Sequence, residues 1–384
     1  MAYPATYTIP PGSRIFSSGA TDVIKCTQDL LFKKGAFTNL LSDLQDYAIL
    51  NKVFKNHKKV FKGGFDWKFD VAVASDNTGN GTAKFTGLFE NDDFSRTDVL
   101  VQGKVSPRFL VASYVFDKRE QAMNFLGSRR GEDYGALYDY VKLQMELMYQ
   151  AAYDKLENAL GGTPEYADDK KTPHGLAFYI QKQSNADATS HPDGGFDGKD
   201  PSLKASKTSS TATVCPRCDI KTSEHPRWAN WAAQYAAVTK EDLIKKMRLA
   251  TRKVNFKSPL SLAEPRLSTG RSILTGVDVL MELECILEAQ NMNLGNDVAA
   301  KDGKVLFKGA PVEYVPTLDA DARKPVYLVD WKTLVFGTVA GWEKKISAPT
   351  EDNSAHNTMR GFLDMSVEMA CTNLRNQAVL SLKA

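Results

Sequence analysis

The sequence predicts an α+β fold, and three stretches of its 384 residues carry that prediction. Residues 132–160 hold one apolar stripe at helical spacing. Residues 65–73 alternate apolar and polar side chains at the period of a strand. Residues 303–337 break into short strands wherever proline or glycine falls, since proline lacks the ladder N–H and belongs at strand starts and edges.

Composition bounds the rest. Apolar residues make up 42% and charged residues 25%, the range of a soluble globular protein with a sizeable core. The length fits two or three domains, or one elaborate one. A net charge of +3 is too small for a partner recognised by bulk charge, as a dedicated nucleic-acid binder would be. No apolar run is long enough for a membrane helix. The N-terminus, Met1 to Tyr7, lacks the basic and apolar regions of a signal peptide. Five scattered cysteines make a disulfide framework improbable, so folding in a reducing cytoplasm is expected.

Residues 1–20, rich in Pro, Gly, Ser and Thr, read as an extended arm. Residues 22–54 are partly helical, with Phe37, Leu40, Leu41 and Leu44 at helical spacing and Thr38 as a cap. In the strand at 65–73, Phe65, Trp67, Phe69, Val71 and Val73 share one face. A turn follows at 75–82, centred on Asn80-Gly81, where both positions tolerate positive φ. A return strand is expected from Ala83 to Phe89, another from Val99 to Val105, and a further one from Phe109 to Phe116. A two-stranded hairpin is marginally stable alone, so its apolar face needs a cover. Its own domain or a neighbouring subunit can supply it.

In the helix at 132–160, Leu137, Val141, Met145, Met148, Ala152 and Leu156 trace one stripe. Glu132 and Asp133 suit its N-terminal dipole, and Gly161-Gly162 stops it. Residues 184–225 are polar and read as a long surface loop. Thr239 caps a helix from Lys240 to about Lys253, with Leu243, Met247 and Ala250 inward. Another runs from Val277 to about Gln290, with Leu280, Leu283 and Leu287 inward.

Little here resembles catalytic chemistry. Cys215-Pro-Arg-Cys218, with His225 beyond it, has the spacing of a zinc or redox pair, but no second such pair completes four ligands. The plainer reading is two cysteines in an exposed loop. Glu284 and Glu288 share a helix face as a carboxylate pair would, beside Glu282, but solvated helix surface is much the plainer reading. No nucleophile elbow, phosphate loop or metalloprotease motif occurs. No cofactor, metal or enzymatic activity is expected. Lys52, Lys55, Lys58, Lys59 and Lys62 recur at spacings that put them on one face, either solvated or facing DNA or an acidic assembly partner.

The order of these parts resembles the major capsid proteins of tailed bacteriophages, the Hong Kong-type shell fold shared with encapsulins. The segments 132–176, with its Pro173-His-Gly-Leu176, 226–252 and 305–337 carry the resemblance; His225 to Trp231 is similar to one branch of prophage capsid proteins. The resemblance implies an N-terminal arm (1–56) and an extended loop (57–116) that overlaps the adjacent subunit through Phe65, Trp67, Phe69, Val71 and Val73. It implies a peripheral domain (117–163 and 326–384) and an axial domain (164–325), with 184–225 as an insertion. The implied function is assembly, as hexamers and pentamers, of an icosahedral head around double-stranded DNA. The implied location is the virion, built in the host bacterial cytoplasm. Implied partners are further copies of the chain, a portal protein, packaged DNA held by weak non-specific contact and, at will, a decoration protein; no membrane is involved. Because the hairpin begins near residue 60, the scaffold is expected as a separate protein. Lys62, Lys68 and Lys84 lie on or near the hairpin without a matching asparagine and acid, so no cross-link is expected. An encapsulin-like compartment is the alternative shell, and a thiol or metal enzyme using Cys215 and Cys218 the alternative class.

Overall fold

A computed structural model describes residues 47–56, 58–72, 87–88, 100–119, 134–167, 169–199, 202–208, 212–254, 270–291, 305–352 and 355–383. The expected arm at 1–20, the helix near Phe37, the turn at 75–82 and nearly all of the return strand at 83–89 lie outside them.

Helix α1 (Ala48–Asn56) leads into β1 (Lys58–Phe61). Strands β2 (Trp67–Ala72), β3 (Leu100–Val105) and β4 (Arg108–Asp117) follow, then helix α2 (Tyr134–Gly161). Next come α3 (Leu176–Tyr179), α4 (Asn185–Ser190), β5 (Gly195–Gly198), β6 (Ser202–Lys204), β7 (Ala212–Val214) and β8 (Asn230–Tyr235). Helix α5 (Lys245–Val254), β9 (Arg271–Thr275) and helix α6 (Val277–Asn291) precede a run of strands. These are β10 (Leu306–Phe307), β11 (Ala310–Tyr314), β12 (Val326–Asp330), β13 (Leu334–Val339), β14 (Lys345–Ile346), β15 (Thr350–Asp352), β16 (Ala355–Cys371) and β17 (Ala378–Leu382).

The described residues fall into two compact units. One holds 110–154 and 344–365; the other holds the stretches within 44–109, 155–343 and 366–384. In the first, β14 and β15 pair antiparallel with β16. Tyr114 of β4 lies where any side chain at Gly361 would stand, at 2.4 Å from a Cβ built there. Lys344 Nζ donates to Tyr153 Oη at 2.6 Å.

The second unit is built on a seven-stranded sheet in the order β10-β11-β9-β12-β17-β8-β5. All six residues of β8 are buried, which requires cover on both faces. On one face Trp231, Ala233, Tyr235, Ile273, Val312, Val326, Ala378 and Leu380 meet Leu243, Met247, Ala250 and Val254, together with Val279 and Leu283 of α6. Thr239 Oγ1 accepts from Asp242 N at 3.3 Å, as its capping role predicts. The first turn after it, Lys240–Ile244, is wound wider than an α-helix, with Ile244 N donating to Thr239 O. Strands β12 and β17 are central in this sheet, so the domain boundary expected at 325/326 is corrected: residues 326–330 and 378–382 belong with β8, β9 and β11.

Helix α2 matches its expected span within two residues, and at about 1.5 Å per residue it runs roughly 42 Å. Met148, Ala152, Leu156 and Leu160 are buried. Its C-terminal turn is locked from two directions. A Cβ on Gly175 would stand 2.3–2.7 Å from the carbonyls of Gly162, Ala159 and Leu160, so only glycine admits this approach. Glu157, fully buried, accepts from Ile49 N (3.1 Å) and Leu50 N (2.9 Å), the first amides of α1, where a carboxylate meets the positive end of the helix dipole.

Candidate assembly interface

The β2–β3 ribbon is the candidate site. Its strands pair antiparallel with Trp67 opposite Val105, Phe69 opposite Gly103 and Val71 opposite Val101. The partner of the strand at 65–73 is therefore the one expected at Val99–Val105. Gly103 lets the Phe69 ring lie flat across the ribbon, with Cζ 2.7 Å from where a Cβ would stand.

The five residues expected to contact a neighbour have different surroundings. Phe65 is 95% exposed, on a chain turned by Gly64 at φ +99°. Trp67 is only 4% exposed, and here the expectation is corrected. Its indole stacks on Phe61 at 4.3 Å between ring centres and lies over Gly337, where a Cβ would come within 2.1 Å of it. The chain itself covers Trp67 because β1 and β13, paired in parallel, form a platform behind the ribbon. Phe69 and Val71 are half-buried, and Val73 lies outside the described residues.

Polar contacts hold the root of the ribbon. Ser106 Oγ donates to Asp66 Oδ1 at 2.6 Å, and Lys104 Nζ lies 3.3 Å from Asp66 Oδ2. These two donors, Ser106 first, hold the Asp66 carboxyl below its usual range. Lys104 N donates to Cys218 O at 2.9 Å. Leu100, opposite Ala72 at the outer end of the ribbon, is exposed, and Leu88 is 91% exposed.

The basic run does not form the single face its spacing suggested. Helix α1 stops at Asn56 and β1 starts at Lys58, so one periodicity cannot span the run. Lys52 bridges Glu313 at 2.8 Å and Lys58 bridges Glu343. Lys59 and Lys62 are exposed, and the Lys55 side chain is outside the described set.

The Cys215–Cys218 turn is not the exposed loop expected. Cys218 and Ile220 are buried, and Arg217 is fully buried. The Arg217 guanidinium donates to five acceptors: Tyr179 O (3.0 Å), Asn230 Oδ1 (3.1 Å), Gly198 O (3.0 Å), Thr222 Oγ1 (3.0 Å) and Trp228 O (3.0 Å). That network draws the polar stretch into the fold. Cys218 Sγ points to Cys371 O at 3.8 Å, and burial pushes its thiol up to about 12. A thiol so held stays protonated, which makes it a poor nucleophile and metal ligand. Cys215 is half-buried, with its Sγ 4.0 Å from Pro216 O; His225 donates its backbone N–H to Lys221 O. Among the described residues, no three His, Cys, Asp or Glu side chains form a group that could hold a metal ion.

A second buried charge cluster had no sequence signal. Glu368, fully buried in β16, lies 3.3 Å from Arg108 Nε, accepts from His174 N at 2.9 Å and faces His174 Nδ1 at 3.2 Å. It pins the Pro173–Leu176 turn to β16. A cleft of about 1190 Å³ is lined among others by Gly161, Lys182, Asp187, Lys199, Asp321 and Arg323. Lys182 pairs with Asp321, and Lys199 with Asp187 at 2.7 Å.

No protein-family model matches the chain, and no curated protein matches it. Among solved structures, the Cyanophage A-1(L) capsid asymmetric unit aligns over 93% of this chain and 98% of its own, at 14% identity and a TM-score of 0.58. This chain has the Hong Kong-type capsid fold. The capsid of the empty GTA particle agrees, over 93% of this chain and 96% of its own, at 13% identity and a TM-score of 0.52. The SrpI encapsulin of Synechococcus elongatus PCC 7942 aligns over 94% of both chains at 9% identity, but its TM-score of 0.47 is too low to argue from. Within this capsid fold, the ribbon, the long helix α2 and the seven-stranded sheet are the parts that organise the surface described above.

Proposed function

We propose that this chain is the major capsid protein of a tailed phage, joining as hexamers and pentamers into an icosahedral head around double-stranded DNA. The observation that carries the reading is the end-to-end alignment with the Cyanophage A-1(L) capsid, which takes in almost the whole of both chains. The surface supports it. Phe65, Leu88, Leu100 and Phe109 of one unit are exposed, as are Val111 and Val115 of the other, although large apolar side chains in such number call for a partner. A standard interface of about 1,600 Å² would absorb them.

In this reading the ribbon within 57–116 is the extended loop and reaches a neighbour through Phe65 and the outer, half-buried residues Phe69 and Val71. Trp67 serves as its anchor. Helix α2 is the spine of the peripheral domain, and the seven-stranded sheet, including β12 and β17, is the core of the axial domain. The chain is a structural protein and not an enzyme, in keeping with the buried, protonated Cys218. A portal, a scaffold and packaged DNA are its partners, a decoration protein is optional, and the virion is its destination.

Sedimentation and electron microscopy of the purified chain test this. Closed particles or capsomer-sized rings are expected. A lone monomer at every concentration would overturn the reading.

A further inference from the structure

Charge is segregated on the helix-covered face of the seven-stranded sheet. The segment Lys240–Val254, which ends in α5, carries six cations and two carboxylates, whereas α6 carries four carboxylates and no cation. Each helix buries its apolar side on the same core, so the charges face outward. Lys245, Arg248, Arg252 and Lys253 are exposed. Lys308 joins them from the β10–β11 turn, where it and Gly309 adopt φ of 49° and 83°. Burial, then repulsion from Arg252 and Arg248, lowers the pKa of that lysine, so the three cations sense one another. A groove of about 700 Å³ runs along Lys240, Lys245, Lys246, Arg248 and Arg252, with Asp193 and Glu241 also on its walls, so cations outnumber acids five to two. Lys246 bridges Asp242 at 2.7 Å, but among the described residues no carboxylate lies within bridging distance of Lys245, Arg248, Arg252 or Lys308.

Helix α6 is the complement. Asp278 bridges Lys324 at 2.8 Å, while Glu282 and Glu284 are exposed without such a bridge among the described residues. Val277, Met281 and Glu284 recur at positions that share one helix face. Val277 and Met281 are both exposed, Met281 by 58%. An apolar strip edged by acids is the composition of a protein contact rather than of plain solvated surface.

We propose that the cationic face of α5, with Lys308, docks on the acidic apolar edge of α6 in a second copy of this chain. Each copy carries one cationic and one acidic patch, so the contact closes either as a two-fold pair, in which both patches are used reciprocally, or, repeated by one rotation, as a ring. A nucleic acid could neutralise the α5 face, but it would leave Met281 and the acids of α6 uncovered. A second copy covers both patches. The proposal rests on the shell reading only for the premise that copies associate.

The test measures assembly by sedimentation for four full-length chains: wild type, Arg248→Glu with Arg252→Glu, Glu282→Lys with Glu284→Lys, and all four changes together. Each one-sided pair should raise the concentration for half-assembly at least about tenfold, through like-charge contact, and the fourfold variant should recover most of that loss. The recovery also shows that the reversed residues leave folding intact; Arg248→Gln with Arg252→Gln, a milder change, should fall between wild type and reversal. One-sided variants that assemble at the wild-type concentration would overturn the docking while the shell reading stands. Impairment without recovery in the fourfold variant would overturn the pairing. An α5 variant that assembles normally yet loses salt-sensitive binding to double-stranded DNA would reassign the face to nucleic acid. A wild type that remains monomeric overturns both readings.

Discussion

The seven-stranded sheet and the β2–β3 ribbon are written in similar side chains and end in opposite states. Strand β8 is buried at all six positions, and β2 at one. In the sheet, helices cover one face and the neighbouring strands satisfy the backbone. Among the described residues the ribbon has two strands, the indole of Trp67 against β1 and β13, and a few polar contacts at its root. Alternation along the sequence thus identifies a strand without saying what lies behind it. The sheet is covered within the chain, whereas the ribbon is anchored at Trp67 and leaves Phe65 and Leu100 exposed.

The sharpest way to break this contrast is at Arg217, which sits on the closed side. Replacing it with leucine removes the donor shared by three backbone carbonyls, Asn230 and Thr222, and leaves buried acceptors unmet. Arg217→Leu should destabilise the folded chain by on the order of 4 kcal/mol in a urea titration. Arg217→Lys, which keeps some of the donors, should lose less. Equal and negligible losses would mean the network is not what holds the Cys218 turn in place.

Next in size is the anchor of the ribbon. Gly337 has an ordinary backbone conformation, so alanine is excluded there only by the Trp67 indole. Gly337→Ala should cost about 2 kcal/mol by overpacking. The damage should be local: amide exchange should accelerate across 67–72 and 100–105 while β8 and β17 keep their protection. Uniform acceleration would show that ribbon and sheet unfold as one body and erase the distinction.

What was legible in the sequence follows the same division. Helix α2 was readable because its stripe is local and Gly161-Gly162 stops it. Strands β11 and β12 were readable because Pro311 and Pro325 mark their starts, and Thr239 announced its cap. Ion pairs were not readable: Lys58 and Glu343 are 285 residues apart, and nothing in the basic run shows that two of its members are already neutralised. Arg217 fell within a polar stretch, 184–225, that reads as a surface loop. Its burial depends on acceptors gathered from 179, 198, 222, 228 and 230, which only the fold brings together. Trp67 failed for the same reason, since its cover comes from Phe61 and Gly337.

Phe65 gives the smallest effect on the folded chain and the cleanest separation of the two regions. It stands two residues before Trp67 but shares none of its cover. Phe65→Ser should leave the urea midpoint within about 0.5 kcal/mol of wild type, since an exposed side chain loses little by truncation. If a second copy buries that ring, the same change removes about 2 kcal/mol of apolar burial per contact, so the concentration for half-assembly should rise by at least about tenfold. Gly337→Ala should impair both stability and assembly, because a displaced Trp67 misplaces the whole ribbon. Phe65→Ser should impair assembly alone. Assembly unchanged by Phe65→Ser but reduced by Gly337→Ala would move the contact from Phe65 to the half-buried residues beyond it, Phe69 and Val71, and would make the ribbon's position, rather than its most exposed ring, the element a neighbour recognises.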